Sequence, residues 1–183
     1  MDILPEPVSK WQNLNGTDLL DLVYRYPERW ATTQESYVQL TMLEEHVRNE
    51  AVFKAMERSI HSARHVFNEY FYQNRQTKFV EYALLDSWYR FLNNEDLTGF
   101  NLEADMICKN LFTFLFSFNL TFNLEIPVYL QTDPETAYQR AVSRGRPEEA
   151  TLQKEFLYGI HRLHEDWLIH GNTTTNAKVP APV

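Results

Sequence analysis

The stretch VYLQTDPETAYQRAV, residues 128–142, constrains the fold more than any other. Four residues suited to a pleated, half-buried segment, Val128 to Gln131, run into Thr132 and Asp133, either of which offers a side-chain oxygen to cap a helix. Pro134 follows at the first helical position, where a missing N–H costs nothing. The pattern predicts a strand that turns directly into a helix. A second unit of this kind lies upstream: AVFKAM (51–56) is short, apolar and partly β-branched, and the polar ERS (57–59) ends it. Ser59 stands ready to cap a helix whose stripe runs through Ile60, Ala63 and Phe67. Strands alternating with helices predict an α/β architecture with a parallel sheet. At 183 residues and 44% hydrophobic, the chain is sized to bury one core, so residues 1–183 are expected to form a single domain.

The remaining periodic segments read as helices. NGTDLLDLVYRYPERW carries Leu19, Leu20 and Val23 at helical spacing, with Asn15 or Thr17 as N-cap and a stop before Pro27. A second amphipathic helix is expected over 33–47 through Tyr37, Val38, Thr41 and Leu43, and a third over 77–94 through Val80, Leu84, Trp88 and Phe91. The last, over about 148–169, carries Leu152, Phe156, Ile160, Leu163 and Trp167 and is ended by Gly171.

Charge and composition remove several classes of function. Asp and Glu number 25 against 17 Lys and Arg, for a net charge of −8, which argues against a surface built to grip nucleic acid. Cys108 is the single cysteine, so no internal disulfide framework exists and a reducing intracellular compartment is expected, cytoplasmic or mitochondrial. No basic n-region followed by an apolar stretch opens the chain, and secretion has no support. Five glycines and no Gly-Lys pair exclude a Walker phosphate loop within these residues. The cluster Arg140, Arg144 and Arg146, just ahead of Glu148 and Glu149, is therefore a local basic site in an acidic chain. His161 and His164 have loose spacing and no nearby cysteine, so no metal site is predicted.

Four motifs occur in order: EPVSKW (6–11), MERS (56–59), SRGRPEE (143–149) and LHEDWLIH (163–170). In order and spacing they resemble the deoxynucleoside kinase family, over roughly residues 5–107 and 128–170. The resemblance implies a P-loop kinase-like fold, a parallel five-stranded sheet flanked by helices. It also implies ATP and Mg2+ as cofactors, a deoxynucleoside as substrate, no nucleic-acid or membrane partner, and a homodimer. The reaction it implies is transfer of the γ-phosphoryl group to the nucleoside 5′-hydroxyl. Glu6 then matches the general base, a carboxylate in hydrogen-bond reach of the attacking hydroxyl. Arg58 matches an arginine near the reacting hydroxyl and phosphate, offering fixed, always charged donors. Arg144 and Arg146, with Arg140 behind them, match a lid that closes over the ATP phosphates. Tyr24 and Glu149 match the residues that bond the sugar 3′-hydroxyl, and Trp11, Val38, Met42, Ala63 and Phe67 match the walls of the base pocket. One departure is chemical: Glu35 stands where the family has a glutamine that reads the base edge, with Gln34 just before it. An amide both donates and accepts, whereas an ionised carboxylate only accepts, so the resemblance leaves base preference open.

Two features depart from the family more broadly. The chain begins just before EPVSKW, so the first strand and the phosphate loop are expected to be missing. Besides the kinase itself, a non-catalytic fragment that at most binds a nucleoside is then a competing expectation. A helical interaction module is a third, against which the strand-to-helix unit counts. The segment CKNLFTFLFSFNLTFNLEIP (108–127) interrupts what should be one strand, ADMI joined to VYLQT. Its phenylalanine pattern, with almost no charge, would aggregate if exposed, and Asn, Thr and Lys interrupt it too often for a membrane span. It reads as a translated intron. Cys-Lys can be written TGTAAG, which contains a splice donor, and Pro-Val supplies an acceptor.

Overall fold

The computed structural model describes residues 2–47, 54–93 and 128–172. Strand β1 (Asp2–Leu4) pairs in parallel with β2 (Lys54–Met56), with Ile3 opposite Ala55 and Leu4 opposite Met56. The Glu57 N–H extends the ladder by donating to the Leu4 carbonyl at 2.9 Å. β2 forms where the apolar run predicts it; β1 is too short to leave a periodic signal. Around this small parallel sheet the described chain is helical, an α/β arrangement.

The expected strand over 128–132 is corrected. These residues carry no regular secondary structure and join no ladder among the described residues. Side chains hold the segment instead: the Tyr129 hydroxyl donates to Glu165 at 2.7 Å, and Gln131 Nε2 donates to both oxygens of the same carboxylate. The helix that follows obeys its capping signals. Asp133 accepts from the Thr136 N–H at 3.0 Å and Pro134 occupies the first turn; Gly145 closes the helix in the left-handed region at φ 66°, which a residue with a Cβ resists. ADMI and the 108–127 insertion lie outside the described residues.

Helix α1 (Val8–Trp11) follows β1, and α2 (Leu19–Arg25) stops before Pro27 as predicted. Its cap is Asp18, which accepts from the Asp21 N–H at 3.0 Å, rather than Asn15 or Thr17. Asn15 and Gly16 are spent on a tight left-handed turn in which Leu14 and Thr17 pair, leaving Asp18 as the first free cap. Helix α3 (Pro27–Val47) starts six residues earlier than the pattern indicates, because Pro27 is itself an acceptable first residue. After β2, Ser59 caps α4 (Ile60–Ser62) in a reciprocal capping box, and the helix runs through a π-helical stretch (Ala63–Asn68) into α5 (Glu69–Gln73). Helix α6 spans Phe79–Leu92 and α7 Pro134–Arg144. The predicted last helix is three pieces: a 3-10 turn (Pro147–Thr151), α8 (Lys154–His164) and a π-helical end (Glu165–Ile169) before Gly171 at φ 67°.

The stripe expected to bury α6 faces outward. Val80, Leu84, Trp88 and Phe91 are exposed, Trp88 at 55%, while Leu85, Asp86 and Tyr89 pack inward. Polar bonds select that face. Arg64, fully buried on the π-helical stretch, donates from Nε to Asp86 at 2.6 Å and from Nη2 to the Tyr82 hydroxyl at 2.8 Å. Breaking such a buried pair costs about 3–5 kcal/mol, more than burying one apolar side chain returns.

Two apolar clusters meet across the π-helical stretch. One joins Val23, Ala31, Val66, Tyr70, Phe71, Ile160, Leu163 and Trp167. The other joins Trp11, Val38, Met42, Ile60, Ala63 and Tyr89. Gly159, inside α8, permits the first: a Cβ there would run into the Tyr70 ring.

Candidate active site

Parallel neighbours in register end side by side, so the turns that leave β1 and β2 are brought together. The first carries Glu6 and the second Arg58, 52 residues apart in sequence. Arg58 Nη1 donates to Glu6 Oε1 at 3.0 Å, with the two side chains 18% and 19% exposed. The guanidinium lies 3.5 Å from the Phe67 ring centroid and 5.5 Å from that of Trp11, so two aromatic faces fix its plane. Arg58 sits at φ 68°, a left-handed conformation costly for a residue with a long side chain. Its buried Nε finds no acceptor among the described residues. Arg58 is thus a strained, mostly buried arginine with one donor unspent among the described residues, held beside a carboxylate.

The arginine cluster gathers at the end of α7. Arg144, at the end of α7, donates from Nη2 to both oxygens of Glu149 at 2.6 and 2.8 Å, and Arg146 approaches the same carboxylate at 3.5 Å. Arg140, one turn earlier, lines an open groove on α7 with Glu135, Thr136, Gln139 and Ser143. The 3-10 turn that carries Glu149 packs against α2 and so meets Tyr24. Burial pushes the Tyr24 hydroxyl up to about 12, and Glu149 and Glu6 push the same way while Arg58 and Arg144 oppose them. That one hydroxyl lies in the field of all four groups, Glu6, Arg58, Arg144 and Glu149. It stays protonated at neutral pH, able to donate.

Trp11, Val38, Met42 and Ala63 form one buried cluster, with Trp11 Nε1 donating to Thr41 Oγ1 at 2.9 Å; Phe67 joins from the other cluster beneath Arg58. Glu35 and Gln34 are each 3% exposed. Burial pushes the Glu35 carboxyl up to about 7, with Arg58 opposing and Glu6 reinforcing.

The sequence pattern missed Gln12 and Glu148. Gln12 Nε2 donates to Glu148 Oε1 at 2.5 Å across 136 residues, and Glu148 is 4% exposed. The adjacent carboxylates of PEE thus divide their work, Glu148 fastening the turn to α1 and Glu149 facing the arginines. Adjacency alone gives no hint of which points inward. His164 Nδ1 meets the Ile160 carbonyl at 2.9 Å and its ring stacks on Tyr129. Among the described residues no group of three or more His, Cys, Asp or Glu is placed to hold a metal ion, and no helix is long and apolar enough to cross a membrane.

The deoxynucleoside kinase family matches residues 1–181, and the chain belongs to that family. It is 39% identical over 173 residues to "Thymidine kinase 2, mitochondrial" of Homo sapiens, an alignment that covers 94% of this chain and 56% of that protein. The protein of the same name in Macaca fascicularis aligns with the same identity and coverage. "Deoxycytidine kinase" of Homo sapiens is 28% identical over 198 residues, covering 96% of this chain and 68% of its own length. The chain spans a little over half the length of the thymidine kinase 2 relatives it matches.

Proposed function

We propose that these residues form the nucleoside-binding and lid portion of a kinase that transfers the γ-phosphoryl group of ATP to the 5′-hydroxyl of a deoxynucleoside in nucleotide salvage. The Glu6–Arg58 pair carries the proposal. Glu6 takes the proton of the attacking hydroxyl while Arg58 faces the incoming phosphoryl oxygens. Tyr24 and Glu149 hold the 3′-hydroxyl, and the base lies against Trp11, Val38, Met42, Ala63 and Phe67. Arg144 and Arg146, half exposed and already turned toward a carboxylate, suit the ATP phosphates, with Arg140 as a more distant member. ATP supplies the phosphoryl group and Mg2+ neutralises its charge; no residue described here is assigned to the metal. The exposed apolar face of α6, Phe79, Val80, Leu84, Trp88 and Phe91, is the surface we assign to a second copy in a homodimer. Residence inside the cell, in the cytoplasm or the mitochondrion, accompanies this function.

A second reading rests on one observation: the 183 residues contain no Gly-Lys pair and so no Walker loop to cradle the β and γ phosphates. On that reading the chain as given binds a nucleoside without turning it over. Calorimetry with thymidine and deoxycytidine, paired with a labelled-ATP transfer assay, separates the two. Binding without transfer supports the second reading, and transfer supports the first. Absence of binding overturns both.

A further inference from the structure

Glu148 is a buried carboxylate to which neither the motifs nor the proposed chemistry give a task. It is 4% exposed and lies on the 3-10 turn (Pro147–Thr151), next to Glu149. Its partner is an amide rather than a cation: Gln12 Nε2 donates to Oε1 at 2.5 Å. Gln12 caps the C-terminal end of α1, directly after Trp11, and its own N–H donates to the Val8 carbonyl at 2.9 Å. Trp11 is 2% exposed and is tied to α3 through Thr41. The amide therefore stands on a fixed element, and its bond joins the helix that carries Trp11 to the turn that carries Glu149.

Successive side chains of a 3-10 turn point about 120° apart, because three residues complete one turn. The Glu149 N–H donates to the Arg146 carbonyl at 3.0 Å and the Leu152 N–H to the Glu149 carbonyl at 2.9 Å, so the turn rotates as a unit. Whatever fixes the direction of Glu148 then fixes that of Glu149. The arginines around Glu149 are weaker guides. Arg144 and Arg146 are 49% and 36% exposed, and solvent screens ion pairs of such side chains. The Gln12–Glu148 bond is the stronger constraint, since breaking it leaves a desolvated oxygen without a partner. Resting on the nucleoside-site reading above, we propose that Gln12 and Glu148 are positioning residues whose bond sets the rotation of the 3-10 turn, so that Glu149 faces the sugar 3′-hydroxyl.

The analogue 3′-deoxythymidine lacks that one hydroxyl and is otherwise the same nucleoside, so the preference for thymidine over it reports on Glu149. Titration calorimetry of both on the 183-residue chain tests the proposal, with Glu148→Met, Gln12→Met and Glu148→Gln beside the wild type. The wild type binds thymidine about tenfold more tightly or better, the worth of one hydrogen bond to a charged acceptor. Glu148→Met removes the carboxylate together with the bond and leaves no unpaired charge inside. It narrows the preference to about twofold or less by weakening thymidine while 3′-deoxythymidine binds as before. Gln12→Met, at a half-buried position, gives the same loss from the other end of the bond. Glu148→Gln still offers Gln12 an acceptor oxygen and keeps the preference. A preference that survives in both methionine variants, with or without an equal loss for the two nucleosides, overturns the proposal and leaves the nucleoside site standing. So does a preference lost as fully in Glu148→Gln as in Glu148→Met. Equal binding of the two nucleosides by the wild type overturns the 3′-hydroxyl assignment and the proposal together, and binding of neither overturns the site itself.

Discussion

His65 couples the fold to pH. Its ring stacks on Trp167 with centroids 5.0 Å apart, and Nε2 meets the Tyr89 hydroxyl at 3.2 Å. That hydroxyl also meets His61 Nδ1 at 2.8 Å. Burial, then the charges of Arg64 and His61, push the His65 imidazole down to about 3 from its ordinary 6.5, with Asp86 acting weakly the other way. The folded protein therefore refuses a proton that the unfolded chain accepts. The contribution is complete above about pH 6.5 and is lost as pH falls toward 3. A gap of three to four pH units at about 1.4 kcal/mol each caps the total near 5 kcal/mol. Between about pH 7.5 and 4.5 the loss is about 2.5 kcal/mol, and moving the folded value up by one unit barely changes it, since 4.5 still lies above it. Urea unfolding of wild type and His65→Phe across that range isolates the effect, because the phenylalanine keeps the ring against Trp167 and cannot titrate. The stability difference between the two proteins narrows or reverses by about that amount on acidification. Parallel pH curves would refute the reasoning.

Gly159→Ala places a methyl group inside the Tyr70 ring, and overpacking of this kind costs about 1–3 kcal/mol, read as a lower urea midpoint with an unchanged m-value. An unchanged midpoint shows that α8 and α5 have room to part. Trp88→Glu puts a charge at the centre of the exposed α6 face; the proposed dimer sediments as a monomer in this variant, and an unchanged sedimentation profile removes that face from the interface.

What was legible in the sequence divides along the range of the interactions. Local chemistry was visible: Ser59 and Asp133 as caps, Pro134 at a helix start, and the stops before Pro27 and at Gly171 all act within one turn. Features decided at a distance were not. The exposed side of α6 follows from Arg64 reaching Asp86, 22 residues away, and hydropathy spacing weighs Asp86 as a surface residue. The 128–132 segment has strand composition, but a ladder needs a paired neighbour, and composition says nothing of Glu165 bonding Tyr129 and Gln131. Motifs single out Glu6 and Arg58 as candidates, and the structure shows that they form an ion pair. The Gln12–Glu148 bond spans most of the chain and left no local trace.

The central claim is that Glu6, Arg58 and the Arg144–Glu149 pair surround one deoxynucleoside. A crystal structure of the chain with bound thymidine tests it most directly. The account predicts the 5′-hydroxyl within hydrogen-bond distance of the Glu6 carboxylate and the 3′-hydroxyl against Tyr24 and Glu149. A nucleoside seated elsewhere, or one whose 5′-hydroxyl points away from Glu6, contradicts it.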